Sequence, residues 1–156
     1  MSGAAFQDCY EDDVSHCYGC GRRNERGLRI RTFWEGEQSV TRFVPRPEHT
    51  AIPGYVYGGL IASLIDCHST GTAAAAAARA RGGDTGAEPL PRFVTASLKV
   101  DYLRPTPLGP ELVVRGRVRE ITGRKVVVES TLSADGVVCA RGEVVAVRMP
   151  ETLRPR

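Results

Sequence analysis

Ala51-Ile52-Pro53-Gly54-Tyr55-Val56-Tyr57-Gly58-Gly59-Leu60-Ile61-Ala62-Ser63-Leu64-Ile65-Asp66 runs from a turn into an apolar stretch that carries a carboxylate. Pro53-Gly54 is a turn signal, Gly58-Gly59 permits unusual dihedrals or close backbone approach, and few helix breakers follow before Arg81. This pattern predicts one long helix over residues 58–80. The first amides of such a helix lack intrahelical partners and lie at the positive end of its dipole. The glycine-opened start is therefore a candidate oxyanion hole, with Gly58 and Gly59 offering N–H groups to an oxygen that gains negative charge. Gly59, Ala62 and Asp66 are spaced by three and four, so two small residues and an acid share a face with room for a ligand. The plainer reading of Asp66 is a solvated or capped surface acid. Seven residues at about 1.5 Å each put Asp66 roughly 10 Å from the glycines, too far for both to act on one carbonyl in one subunit. A second, antiparallel copy of the helix would bring them together.

Outward from this stretch the chain reads as sheet. Upstream, Leu28, Ile30 and Thr32 alternate with Arg29 and Arg31, and Val40 to Val44 is extended after Glu35-Gly36-Glu37, which predicts a first hairpin. Pro45 and Pro47 end it, and His49 lies in the loop before the helix without an evident partner. Downstream, the alanine-rich run Thr72 to Ala80 favours helix and close packing. Arg79 to Pro91 is a loop suited to the rim of a ligand mouth. Strands are predicted over 93–103, 112–121, 126–133 and 137–149, as an antiparallel meander. On the first of these, Val94, Ala96, Leu98, Val100 and Tyr102 form an apolar row, and Thr95 falls on the other row.

Pro53-Gly54-x-x-Tyr57-Gly58-Gly59, then Asp66 nine positions after Tyr57, then Thr95-Ala-Ser-Leu-Lys-Val-Asp-Tyr-Leu-Arg-Pro-Thr-Pro-Leu-Gly109 resembles the hotdog-fold acyl-CoA thioesterases, in particular the phenylacetyl-CoA thioesterase-like group. The resemblance covers about residues 17 to 148 and includes Cys17-Tyr-Gly-Cys-Gly21 and Gly27-Leu28. It departs at Tyr57, where the family usually has the His of a His-Gly-Gly motif. The resemblance implies an α+β hotdog fold, a long central helix wrapped by an antiparallel sheet. It implies an active site between two subunits of a homodimer or homotetramer, with acyl-CoA as substrate and no cofactor. It assigns Asp66 as general base or nucleophile, the Gly58 amide as oxyanion donor, and Thr95 to hold water or orient Asp66. Thr95 reads equally as a β-favouring residue at a strand start. Tyr57 and Gly59 would line the substrate site, while Arg124 and Lys125, with Arg104 as a further candidate, would meet coenzyme A phosphates. Cations in turns are otherwise usually solvated. A non-catalytic acyl-CoA or acyl-carrier binding module on the same fold is the alternative. A hydratase is disfavoured because no aspartate–histidine pair leads into the helix.

Composition narrows the classes. With 156 residues, 42% hydrophobic and 25% charged, the chain has the makings of one domain with a real core. We read 1–16 as an N-terminal extension, 17–149 as the domain and 150–156 as a tail. A net charge of +3 suits an anionic ligand and falls short of a nucleic-acid-binding excess. No signal-like or membrane-length apolar run occurs, so a cytoplasmic protein is expected, without nucleic-acid or membrane partners. Five cysteines at uneven spacing argue against a disulfide framework. Cys17-x-x-Cys20 has chelating spacing, but a closed site would need Cys9 and the awkwardly adjacent His16. The expectation is therefore a compact turn and no metal. No Gly-x-Ser-x-Gly elbow is present, and Ser63, Cys67 and His68 do not share a helix face, so hydrolysis would rest on Asp66.

Overall fold

The computed structural model describes residues 3–83, 85 and 89–156. Its elements in order are β1 (Thr32–Glu35), β2 (Gln38–Phe43), α1 (Gly58–Ala80), β3 (Phe93–Tyr102), β4 (Leu112–Thr122), β5 (Lys125–Ala134) and β6 (Val137–Arg148), with short 3-10 turns at Phe6–Cys9, Asp12–Val14 and Glu151–Leu153. All strand pairs are antiparallel, in a single sheet of order β1-β2-β4-β5-β6-β3. The helix packs on one face of that sheet and touches all six strands. This is the α+β hotdog arrangement that the resemblance implied. Among the described residues, no helix is long and apolar enough to cross a membrane.

The helix starts and stops where the glycine pair and the alanine run predict. Leu60, Ile61, Leu64 and Ile65 are buried, and so is every residue from Cys67 to Ala76. A helix that is apolar or small all round has to be wrapped, because a surface helix needs a polar face. The sheet makes room with a row of small residues, since Ser39, Gly116, Ser130 and Gly142 stand side by side across β2, β4, β5 and β6. A Cβ on Gly116 would lie 2.5 Å from His68 Nε2, and one on Gly142 would lie 2.3 Å from Ile65 Cγ2. The depth at which α1 sits therefore depends on two missing side chains. Val114, Val128, Leu132 and Val144 close the core around that row.

Four expectations need correction. Arg29 adopts a left-handed conformation, φ 56°, so the alternation at Leu28–Ile30 is not strand. The Leu28 and Ile30 amides instead donate to the Tyr18 and Gly19 carbonyls, and β1 begins only at Thr32. The last four strands are not one meander either. β4, β5 and β6 are, but β3 pairs with β6 and forms an edge, because residues 103–111 carry the chain back across the sheet to start β4 beside β2.

The third correction concerns the rows of β3. Thr95 pairs with Ala146 and Ser97 with Val145, so Ala96 is an extra, bulged residue. The bulge puts Thr95 on the same face as Leu98, Val100 and Tyr102, the face that looks at the helix, where alternation alone had put it on the opposite one. Finally, residues 3–16, read as an N-terminal extension, pack into the domain: Phe6 and Tyr10 belong to the core, the Phe6 and Trp34 rings are 5.1 Å apart, and the Gln7 amide donates to Thr32 Oγ1 at 2.8 Å. Arg154 of the tail pairs with Glu11 and Asp13. Of the loop expected at 79–91, helix takes the first two residues, and positions 84 and 86–88 lie outside the described residues.

Candidate active site

Ile65 and Cys67 point into the core, so helical geometry turns Asp66, between them, toward the edge of the sheet. There the bulged strand presents Thr95, whose Oγ1 donates a hydrogen bond to Asp66 Oδ1 at 2.5 Å. Burial raises the Asp66 carboxyl above the ordinary carboxylate range, and the Thr95 hydrogen bond and the Arg92 charge act against that rise. The result is a half-buried carboxylate, more basic than a surface acid. One of its oxygens is fixed by a hydroxyl, and a group so placed can take a proton from a water molecule or attack a carbonyl carbon.

The helix start supplies the second part. Tyr57 occupies the N-cap in an extended conformation, and its carbonyl accepts the amides of Leu60 at 3.1 Å and Ile61 at 3.4 Å. That leaves the N–H groups of Gly58 and Gly59, which helical geometry deprives of intrahelical acceptors, for a partner outside the helix. The Tyr57 ring, 57% exposed, folds over Gly59 so closely that a Cβ there would lie 2.4 Å from the ring. From the far end of β3, Tyr102 donates its hydroxyl to the Gly58 carbonyl at 2.8 Å. Two tyrosines thus flank the helix start, and burial together with the neighbouring Tyr57 pushes the Tyr102 hydroxyl pKa upward.

The profile of the family described as Thioesterase superfamily matches residues 53–140, which hold the helix start, Asp66 and Thr95. The chain belongs to the thioesterase superfamily. Over 87 residues it is 38% identical to the acyl-coenzyme A thioesterase THEM4 of Xenopus laevis, a stretch that is 56% of this chain and 33% of that protein. The chain therefore spans about a third of the length of the curated relatives it matches. A thioesterase superfamily protein from Shewanella loihica PV-4, of known crystal structure, is 52% identical; the match covers 90% of this chain and 100% of that one, with a TM-score of 0.68. A Streptococcus mutans UA159 protein crystallised with acetyl CoA shares the fold, with a TM-score of 0.59 and 17% identity over 77% of this chain and 88% of that one.

In this superfamily member the other candidates divide sharply. Asp66 and Thr95 are in contact, and Tyr57, Gly58 and Gly59 cluster at the helix start. Arg124 lies in the β4–β5 turn and Lys125 opens β5, aligned with Val147 and through it with Val94, two strands from β3. Lys125 pairs with Glu120 at 3.5 Å, and Arg124 donates to the Arg148 carbonyl at 3.3 Å. Ser63 spends its hydroxyl on the Gly59 carbonyl at 2.9 Å, and His49 is held by the Arg46 amide at 3.0 Å. His68 is fully buried and bonded through both ring nitrogens.

Sequence reasoning missed Tyr102. Strand alternation placed it on an apolar row, but nothing local showed that the row ends over Gly58. It also missed that Cys17 and Cys20 meet Cys67 of the helix, and not Cys9 or His16.

Proposed function

We propose that the chain hydrolyses an acyl-CoA thioester to the free acid and coenzyme A. The observation that carries this reading is the Thr95-bonded, half-buried Asp66 in a member of the thioesterase superfamily. Asp66 acts as general base, taking a proton from the water that attacks the thioester carbonyl, so that the C–S bond breaks and the thiolate leaves with that proton; or Asp66 attacks the carbon itself, the C–S bond breaks to leave an acyl-aspartyl anhydride and a thiolate, and water then hydrolyses the anhydride, freeing the acid and supplying the thiolate's proton. Thr95 orients Asp66 or the water. The Gly58 and Gly59 amides stabilise the oxyanion that forms. Tyr57 and Gly59 line the acyl site.

Within one chain the acid and the amides remain roughly 10 Å apart along the helix, so a complete site needs a second copy. The free edge of β3 supports this. Residues 95–99 are exposed there beside Asp66, with Leu98 and Tyr102 showing apolar surface at 40% and 54% exposure. Unpaired edge strands of this length are templates for pairing, and an antiparallel copy would bring its helix start toward Asp66. We therefore take the active species to be a homodimer, or a tetramer of paired dimers. The acetyl-CoA-bound neighbour supports a coenzyme A ester as ligand. Arg124 is the better phosphate contact of the two turn cations, because Lys125 already has Glu120.

The test is a panel of acyl-CoA esters assayed for released thiol, beside light scattering. Release by a dimeric or larger species is the expected result. Binding of the esters without thiol release would make the chain a binding module, and hydrolysis by a monomer would overturn the two-subunit site.

A further inference from the structure

Buried cysteines usually pack as small apolar groups. Cys139 does so, with its thiol directed at the Val137 carbonyl at 3.4 Å. Cys17, Cys20 and Cys67 are arranged differently. Their sulfurs all lie within 4.8 Å of one another, and those of Cys17 and Cys67 are 3.9 Å apart. A disulfide would need about 2.05 Å. Two thiolates held tetrahedrally about 2.3 Å from one Zn2+ stand about 3.8 Å apart, which is close to the separation found. Cys17 and Cys20 have the two-residue spacing of a chelating pair, and Cys67 reaches them from the third turn of α1.

The backbone is shaped around these sulfurs. The Gly21 amide donates to the Cys17 carbonyl at 2.7 Å and closes the turn. The amides of Gly19 and Cys20 point at the Cys17 sulfur. A Cβ on Gly19 would lie 2.4 Å from Cys67 Sγ, so only glycine lets that sulfur in. The turn is braced from outside by the Leu28 and Ile30 amides and by Arg31, which donates to the Cys20 carbonyl at 3.0 Å.

Tyr10 supplies an independent observation. Its hydroxyl is fully buried, has no hydrogen-bond partner among the described residues, and lies within electrostatic reach of all three sulfurs. A buried hydroxyl without a partner is costly, and Tyr10 packs in the same core cluster as Cys20 and Cys67. Arg92, stacked 4.6 Å over the Tyr10 ring, is within reach of the same three sulfurs. Three thiolates around one Zn2+ leave a single negative charge, which the Arg92 guanidinium balances.

We propose that Cys17, Cys20 and Cys67 bind a Zn2+ ion with solvent in the fourth position, tying the Cys17–Gly21 turn to α1 directly beside Asp66. This revises the expectation of no metal, because the helix provides the third ligand that the local sequence lacked. It does not rest on the hydrolase reading, and its test reads metal and not turnover.

The experiment uses the full chain carrying Cys9→Ser and Cys139→Ser, so that only the three proposed ligands remain as thiols. It is reduced, stripped by a chelator, checked for folding by circular dichroism and titrated with Co2+ and then Zn2+. The expected result is one Co2+ per chain with thiolate-to-cobalt charge-transfer absorption, bleached by Zn2+, and a Tm that rises when Zn2+ is added. Cys20→Ser and Cys67→Ala should each weaken Co2+ binding by about a hundredfold or more. A folded protein that gives no charge-transfer band overturns the proposal, as does a band that survives Cys67→Ala. Isolation of the chain with a Cys17–Cys67 disulfide that reduction does not convert to a metal-binding form would also overturn it.

Discussion

Asp66 and His68 stand two positions apart on α1, yet the sheet treats them in opposite ways. His68 lies over β2 and β4, strands with neighbours on both sides. Its Nδ1 meets Thr41 Oγ1 at 2.8 Å, its Nε2 meets Ser39 Oγ at 3.0 Å, and Thr72 completes the chain by donating to Ser39 Oγ at 2.7 Å. Asp66 lies under β3, which has a neighbour on one side only, and among the described residues its carboxylate accepts a side-chain hydrogen bond from Thr95. A buried network with every member bonded rigidifies a core. A half-buried carboxylate with bonding capacity left over, at an open edge, has energy to give to a ligand. The two regions of the sheet thus separate a sealed polar network from an acid at an open edge.

The sealed region can be broken with acid. Burial lowers the His68 pKa from an ordinary 6.5 to about 3, so between those values the unfolded chain binds a proton that the folded chain refuses. Stability is then full above pH 6.5 and falls as pH drops toward 3, by up to about 1.4 kcal/mol per pH unit. Denaturant midpoints measured across that window should show the slope, and His68→Gln should flatten it. A wild-type slope unchanged in the mutant would remove His68 from this role.

The next effect in size is steric. Gly142→Ala puts a Cβ 2.3 Å from Ile65 Cγ2, between sheet and helix backbone. The expected cost is about 2 kcal/mol, a fall in Tm of roughly 4–8 °C for a domain of this size. Ala96→Gly in the exposed bulge should change Tm far less, and equal losses at the two positions would contradict the contrast between a sealed face and an open edge.

How far the sequence reached follows the same division. The helix bounds were legible because glycine and alanine act locally, and the four strands after the helix were legible from their β-branched runs, whereas the alternation at Leu28–Ile30 was not strand. Asp66 stood out as the acid on a face of small residues, and the motif around it carried the family. The order of strands was not legible, since nothing within β3 says whether it pairs with β4 or with β6. The bulge at Ala96 was hidden for the same reason. It is a property of pairing, and it alone turns Thr95 toward Asp66. In the sequence Cys67 reads only as a candidate nucleophile beside Ser63 and His68, because the cysteines it meets lie in a turn far upstream in the chain.

At the open edge, smaller effects are expected. Thr95→Val keeps the β-branched shape and removes the hydroxyl, so kcat should fall about tenfold with KM nearly unchanged, as for a group that positions the acid. Tyr57→Phe should stay within a few-fold of wild type, because the oxyanion argument uses backbone amides and a tyrosine stays protonated near pH 7. A hundredfold loss of kcat in a folded Tyr57→Phe protein would place its hydroxyl among the catalytic groups.

The most direct test is Asp66→Asn, which keeps shape and volume and removes the base. Thiol release from the best acyl-CoA ester of the panel should be compared between wild type and mutant, with ester binding measured in parallel. We expect turnover to fall by at least about a hundredfold, about 2.7 kcal/mol in the barrier, while binding survives. Wild-type-like turnover by the folded mutant would contradict the assignment of Asp66 as the residue on which hydrolysis rests.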